Sequence, residues 1–338
     1  MPQLVVRSVQ ANDLNMILEI AGETGPGFNS LPNNSHAVAD KIIHSIQSFA
    51  EKEDIQKRFY FFVMVDSETK KIVGTAGIDT CVGHPWPYYK FKVSKLSQTS
   101  KILNTAYEHT VLHLSSDYND ATELGALYIK PQYRGLGYGS FLSRSRCLFI
   151  SLFTHLFSEK IVADMRGVSV DGISPFWEAV GRHFFGITYA EASYLKATQG
   201  SQILVDLLPH YPLYTDFFSM DAKRSIGKTH ELAIPALQVL TAEGFIFRDA
   251  IDVFDAGPTI EADQSALKTV QYLRCAVLKS VKKNANFVNR ALIANTKLDF
   301  RATLASFDLT SNGEIMLDQD VLALLNINIG DEIAYCPF

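Results

Sequence analysis

Apolar positions along the chain alternate between strand-like runs and helix-like spacing, and that alternation predicts a mixed α/β fold. Leu4 to Arg7 reads as a short strand, followed by Asp13 as a helix N-cap before Leu14, Ile17, Leu18 and Ala21, which share one helical face. A polar stretch from Gly22 to Asn34 leads to a second helix over about Ser35 to Glu51. Phe59 to Val65 and Ile72 to Ile78, around the turn Asp66 to Lys71, predict a β-hairpin. Cys81 to Lys101, with Pro85, Trp86 and Pro87, reads as an irregular excursion over the sheet. A strand at Glu123 to Ile129, a glycine loop at Arg134 to Gly139 and a helix come next, with Phe141, Leu142, Leu148, Phe149, Leu152, Phe153, Leu156 and Phe157 at helical intervals.

Lys160 to Asp164 returns as a strand, and Pro175 sits where it can start a helix carrying Phe176, Trp177, Ala179, Val180 and Phe184. Leu237 and Leu240 lead to the terminator Glu243-Gly244-Phe245 and a strand from Ile246 to Phe254. Asp255-Ala256-Gly257-Pro258 looks like a boundary, giving an α/β domain over 1–256 and a small β-rich, barrel-like domain over 257–338.

Composition narrows the function. The 338 residues are 47% hydrophobic and 20% charged, enough for a large core, and a net charge of -5 without a basic run argues against a nucleic-acid partner. No segment has signal-peptide or membrane-span character, so a cytoplasmic protein without a membrane partner is expected. Cys81, Cys147, Cys275 and Cys336 lie far apart with no C-x-x-C pair, which fits reduced thiols and no structural metal. His109 and His113 have helical i,i+4 spacing, but Thr110 replaces the glutamate of H-E-x-x-H. Gly227-Lys228-Thr229 lacks the first glycine of a P-loop, and Gly167-Val168-Ser169-Val170-Asp171 lacks the last glycine of a nucleophile elbow.

The sharpest chemical feature is Arg134-Gly135-Leu136-Gly137-Tyr138-Gly139 between strand and helix. Glycines remove the Cβ atoms that block close approach, and the unpaired N–H groups at a helix start favour an anion, so the loop can cradle a diphosphate. Its G-x-G-x-G spacing departs from the dinucleotide fingerprint G-x-G-x-x-G. A tight turn without ligand is the bland alternative.

Arg134-x-x-Gly137-x-Gly139 resembles the acyl-CoA signature Arg/Gln-x-x-Gly-x-Gly/Ala of the GNAT superfamily of N-acyltransferases. Gly22-Glu23-Thr24-Gly25-Pro26-Gly27-Phe28, Met165-Arg166-Gly167, Ser174-Pro175-Phe176-Trp177 and Phe254-Asp255-Ala256-Gly257-Pro258-Thr259 are more specific. Through them nearly the whole chain resembles the arginine N-succinyltransferase family. The resemblance implies a GNAT-like mixed sheet flanked by helices. It also implies transfer of succinyl from succinyl-CoA, a co-substrate rather than a resident cofactor, to the α-amine of L-arginine in arginine catabolism.

By the same resemblance His230, in Ile226-Gly227-Lys228-Thr229-His230, takes the role of proton donor, and Leu127 contacts succinyl-CoA. Arg134, Gly135, Gly137 and Gly139 would hold the CoA diphosphate. The Leu127 contribution is expected from a backbone N–H freed where Gly125 permits a bulge. Arg166 is the expected partner of the succinyl carboxylate, and Glu23, Asp164, Asp171 and Glu178 are the acids considered for the acceptor's guanidinium. Transfer to ornithine or another amine and a non-catalytic acyl-CoA-binding subunit are the alternatives. A homo-oligomer is expected only on general grounds.

Overall fold

A computed structural model describes residues 3–24, 28, 30–200, 202–283 and 287–338; Gly25, Pro26 and Gly27 of the glycine-proline block lie outside them. Among the described residues no helix is long and apolar enough to cross a membrane. The first strands are β1 (Leu4–Ser8), β2 (Phe59–Asp66), β3 (Ile72–Asp79), β4 (Lys90–Ser100), β5 (Thr105–Ser115), β6 (Thr122–Ile129), β7 (Lys160–Asp164), β8 (Leu213–Tyr214), β9 (Ile246–Asp252) and β10 (Pro258–Asp263). They lie side by side in the order β1-β2-β3-β6-β7-β10-β9-β4-β5-β8. All neighbours run antiparallel except β6 and β7, which are parallel and pair only at Thr122↔Ile161 and Glu123↔Val162. Beyond Glu123 the two strands part, which opens a cleft inside the sheet.

Helices cover both faces. On one, α1 (Leu14–Thr24) and α2 (Ser35–Phe49) bury Ile17, Ile20, Val38 and Ile42 against Phe59, Phe61 and Val63. On the other, α3 (Tyr138–Leu152) presses Leu142, Leu148 and Phe149 against Tyr60, Phe62, Ile78 and Leu124. The strands alternate accordingly, since successive side chains leave opposite faces. The helix Pro175–Ala179, capped by the Ser174 hydroxyl, stacks Trp177 on Phe254 at 5.3 Å in a separate cluster against β4 and β9.

Five further strands close the chain: β11 (Arg274–Lys282), β12 (Asn289–Asn295), β13 (Arg301–Leu309), β14 (Ile315–Asp318) and β15 (Glu332–Pro337). Their pairings, β11–β15, β15–β12, β12–β13, β13–β14 and β14–β11, form a closed ring around Leu278, Ile293, Phe307 and Ile333. This small barrel joins the main sheet where β13 pairs with β1, Val5 opposite Thr303, and the Thr303 hydroxyl donates to the Leu4 carbonyl at 2.7 Å. The mixed α/β class with a β-rich C-terminal unit is as the sequence predicts.

Several local expectations are corrected. Residues 90–100 are not irregular: they form β4, paired along its length with β5 in a long hairpin. That places His109 and His113 on a strand, where His109 pairs with Asp216 at 2.9 Å. The helix after the glycine loop stops at Leu152, because Phe153 leaves helical geometry; Leu156 and Phe157 reach the same core through a 3-10 turn instead. Asp13 sits inside the first turn rather than capping it, accepting from the Gln10 N–H at 2.7 Å and from the Arg7 guanidinium at 2.8 Å. Asp255 to Gly257 belong to the connection between β9 and β10, paired strands of one sheet, so the boundary expected after residue 256 falls between neighbours in that sheet.

Candidate active site

The parting of β6 and β7 is the mouth of a cavity of about 1510 Å³ that continues to the start of α3. That exceeds the ~300–1,000 Å³ of common small-molecule sites and leaves room for two substrates. Arg134, Gly135, Gly137 and Gly139 all line it, as does Leu127. Gly135 and Gly137 have φ of 77° and 82°, in the left-handed region, and Gly137 caps α3. A Cβ added at any of the three glycines would meet nothing within 4 Å, so the loop's inner surface is open toward the cavity. Arg134 is tied back to the strand: its Nε donates to the Ile129 carbonyl at 2.9 Å and its guanidinium lies over the Tyr128 ring. The helix start therefore presents bare N–H groups, a shape and charge suited to a diphosphate.

The bulge expected near Gly125 lies at Ala126. Thr75 pairs with Tyr128 and Gly77 with Gly125, so one β3 residue, Ala76, faces both Ala126 and Leu127. Ala126 has a φ of 51°, an uncommon conformation for a residue with a Cβ.

The α1/α2 side of the sheet carries a row of carboxylates across the cavity floor. Asp79 is opposite Glu123 on the neighbouring strand, and Asp164 lies two residues beyond Val162, the partner of Glu123. All three line the cavity. Asp164 is held by the Tyr88 hydroxyl at 2.7 Å, Lys90 at 2.5 Å and the Thr259 hydroxyl at 2.6 Å. The Glu123 carboxyl has no side-chain hydrogen bond or salt bridge among the described residues. Burial, with Asp164 and Asp79 beside it, pushes its pKa up to about 7 against the pull of Lys90 and Lys196. A carboxyl that trades its proton near neutrality and faces open space can accept one from a bound ammonium.

Farther along the floor two backbone segments cross. A Cβ on Gly257 would lie 2.0 Å from the Met165 carbonyl, and one on Gly167 2.2 Å from the Asp255 carbonyl, so both positions require glycine. Asp255 fastens the crossing by accepting from the Gly167 and Gly257 N–H groups, each at 2.9 Å. The blocks Met165-Arg166-Gly167 and Asp255-Ala256-Gly257 are thus two halves of one structure.

That crossing carries His230. Its backbone N–H donates to the Arg166 carbonyl at 2.8 Å, and its Nδ1 accepts from the Leu232 N–H at 3.1 Å. Arg166 and Leu232 both line the cavity, whereas His230, bonded to both, is not itself among the lining residues. With Nδ1 accepting, the neutral ring carries its proton on Nε2. Burial and the Arg166 charge hold its pKa below the usual histidine value despite Glu231.

Among the acids considered from sequence, Asp164 and Glu23 line the cavity, Glu23 accepting from the Tyr128 hydroxyl at 2.8 Å. Asp171 and Glu178 do not; Glu178 pairs with Arg182 on its own stretch of helix. Asp79 and Glu123 were missed. Period-two alternation on β6 would have flagged Glu123 as sharing a face with Gly125, but its acidic neighbours follow only from strand register. Outside the cavity Cys81, His84 and Asp120 bring ligand-type atoms within 4.8 Å of one another, a largely exposed group centred on the His84–Asp120 pair.

Known proteins agree with this geometry over the full length. The profile of the arginine N-succinyltransferase beta subunit family matches residues 4–269, and that of its C-terminal domain matches 274–337. An arginine N-succinyltransferase of Yersinia enterocolitica is 38% identical over 332 residues, covering 97% of this chain and 96% of that protein. One from Enterobacter sp. is 35% identical, covering 99% and 98%. The solved arginine/ornithine succinyltransferase subunit AI from Pseudomonas aeruginosa superposes with a TM-score of 0.89 at 30% identity, covering 100% of this chain and 99% of that one. The chain belongs to the arginine N-succinyltransferase beta subunit family.

Proposed function

We propose that this protein transfers the succinyl group of succinyl-CoA to the α-amine of L-arginine, giving N2-succinylarginine and CoA. The observation that carries the reading is the single cavity joining an open diphosphate cradle, a bulged strand and a row of acids, within a chain that matches the family from end to end. The glycine loop from Arg134 to Gly139 holds the CoA diphosphate, and the pantetheine arm enters the cleft between β6 and β7. Arg166 takes the succinyl carboxylate. The carboxylates of the floor, Glu123 foremost, receive the cationic acceptor.

An ammonium must shed a proton before it attacks the thioester, and the bond it forms sheds a second; one returns to the departing sulfur. Glu123 receives the first. His230 gives its Nε2 proton to the departing sulfur, and the second proton, shed by the new amide nitrogen, refills Nε2 while Nδ1 keeps accepting from the Leu232 N–H. The Leu127 N–H meets the oxygen of the tetrahedral intermediate. Lys196 and Lys90 keep Asp252 ionised, with a pKa of about 2 in spite of burial, so the floor stays negative when Glu123 is protonated.

Thiol release from succinyl-CoA, followed across arginine, ornithine, lysine and an amine-free control, tests the reading. Fast release with arginine and none without an amine supports it; release only with another amine moves the substrate. Ornithine is the second reading, because the Pseudomonas structure is named for both amino acids. His230→Ala should lower kcat about a thousandfold while CoA affinity stays unchanged. Wild-type turnover in that variant removes the histidine from the mechanism.

A further inference from the structure

The bulge on β6 has both of its carbonyls held by buried side chains. The Thr75 hydroxyl, on the neighbouring strand, donates to the Ala126 carbonyl at 2.9 Å, and Thr75 is fully buried. From beneath, on α3, Arg146 Nη1 donates to the Gly125 carbonyl at 3.1 Å and to the Gly77 carbonyl at 3.5 Å, while Nη2 donates to the Ser143 hydroxyl at 2.9 Å. Arg146 is 1% exposed, yet it has no carboxylate partner among the described residues, and its Nε has no hydrogen-bond partner. Other arginines contrast with it: Arg7 pairs with Asp13, Arg144 with Glu243 and Arg248 with Glu261. Burial pulls the Arg146 pKa down to about 10, which still leaves it charged at neutral pH.

A buried guanidinium without a counter-ion is costly, and so is a left-handed alanine; where both occur at one bulge, the surrounding structure is maintaining an arrangement that the chain would not adopt alone. Peptide planarity shows what is maintained. A trans peptide directs its C=O and N–H oppositely. With the Ala126 carbonyl drawn toward Thr75 on β3, the N–H of the same peptide unit, that of Leu127, points away from β3 into the gap where β7 has diverged. A hydrogen bond accepted by the carbonyl also polarises the amide and strengthens its N–H as a donor. An aspartate or glutamate beside Arg146 would cancel its field; unpaired, the cation favours negative charge forming just above it.

We propose that Thr75 and Arg146 are positioning residues for acyl transfer, fixing the two carbonyls of the β6 bulge so that the Leu127 N–H is presented to the thioester oxygen. The inference rests on the assignment of that N–H to the oxyanion. It adds two side chains, Thr75 outside the cavity lining and Arg146 at its edge, whose effect is confined to the step in which charge develops.

The test combines turnover, CoA affinity and the infrared carbonyl stretch of bound succinyl-CoA in the absence of amine. Thr75→Val, nearly isosteric, should lower kcat about tenfold with CoA affinity unchanged, and Thr75→Ser should restore kcat to within about twofold. The thioester stretch, lowered on binding to the native protein, should move back toward its solution value in Thr75→Val. Arg146→Met should show the same split, with Arg146→Lys intermediate. Wild-type kcat in Thr75→Val, or a serine variant as slow as the valine one, overturns the proposal. So does an Arg146→Met protein that loses only its preference for succinyl-CoA over acetyl-CoA, since that assigns the guanidinium to the succinyl carboxylate. If Arg146→Met fails to fold, the threonine pair decides. Leu127→Pro, which deletes the N–H, separates the two layers: full activity there removes the oxyanion assignment, whereas an inactive, CoA-binding Leu127→Pro beside a fully active Thr75→Val removes the positioning roles alone.

Discussion

The two faces of the central sheet have been put to opposite uses. Under α3 the sheet is packed with aromatic rings: Phe149 alone contacts Phe49, Tyr60, Phe62, Phe153, Phe157 and Phe300, with centroids 4.9–5.9 Å apart. Across the same strands the other face gathers Asp79, Glu123 and Asp164 around an open floor. One face gains stability from contacts that nothing has to enter or leave. Its opposite leaves like charges close together, an arrangement that a cationic substrate relieves. Around the acidic floor, stability and chemistry are thus largely separated by the thickness of one sheet, with Arg146 the residue of α3 that reaches the bulge, and substitutions of the aromatic cluster and of the carboxylates should fail in different ways.

The largest effect is expected on the packed side. Phe149→Ala should destabilise the protein by about 4 kcal/mol, through lost burial and the cavity left behind, seen as a lower denaturation midpoint. Turnover of whatever remains folded should change little, and a variant that is stable but slow would dissolve the distinction. On the acidic side Glu123→Gln should do the reverse: kcat falls about a hundredfold while the melting temperature holds or rises. A Glu123→Gln protein that melts early would mean that the carboxylate is structural. Gly137→Val should weaken CoA binding at least about tenfold, by straining a left-handed position and filling the cradle, as read by direct titration.

The smallest expected effect is on pH dependence. Glu123 is raised from 4.5 to about 7 and Asp255 from 3.8 to about 6, so the folded state holds protons that the unfolded chain has released. Their contribution to stability is therefore full below the unfolded values and is lost as pH rises through the folded ones. Asp252, lowered to about 2, acts below that window. Chemical denaturation between pH 5 and 8 should show stability declining toward neutrality, and more shallowly in Glu123→Gln. Equal slopes would place the Glu123 pKa outside the range.

How much of this could be read beforehand follows the same division. The packed side was legible because Phe141, Leu142, Leu148 and Phe149 repeat at helical spacing, although the same pattern overran the end of α3 at Phe153. The glycine loop was legible because its requirements are local. The arm formed by β4 and β5 was not: Ser94 to Ser100 is an exposed strand with little apolar alternation to mark it. Glu123 and Asp79 were invisible for another reason, since their meeting depends on register between strands some forty residues apart. His230 stood out only through family resemblance; in isolation Gly227-Lys228-Thr229-His230 is an ordinary polar loop. The twin blocks around Gly167 and Gly257 were visible as text, while their crossing at Asp255 was not.

The pairing of β1 with β13 also bears on how the molecule is made. Val5 and Thr303 are neighbours in space but about 300 residues apart in the chain, so the first strand leaves the ribosome long before its second partner exists. Until then β1 is an uncovered sheet edge, with the hydrogen-bonding groups that recruit unwanted strands. Contacts of such long range slow the final step of folding. The nascent α/β layer therefore stays unfinished along that edge until the barrel arrives to seal it.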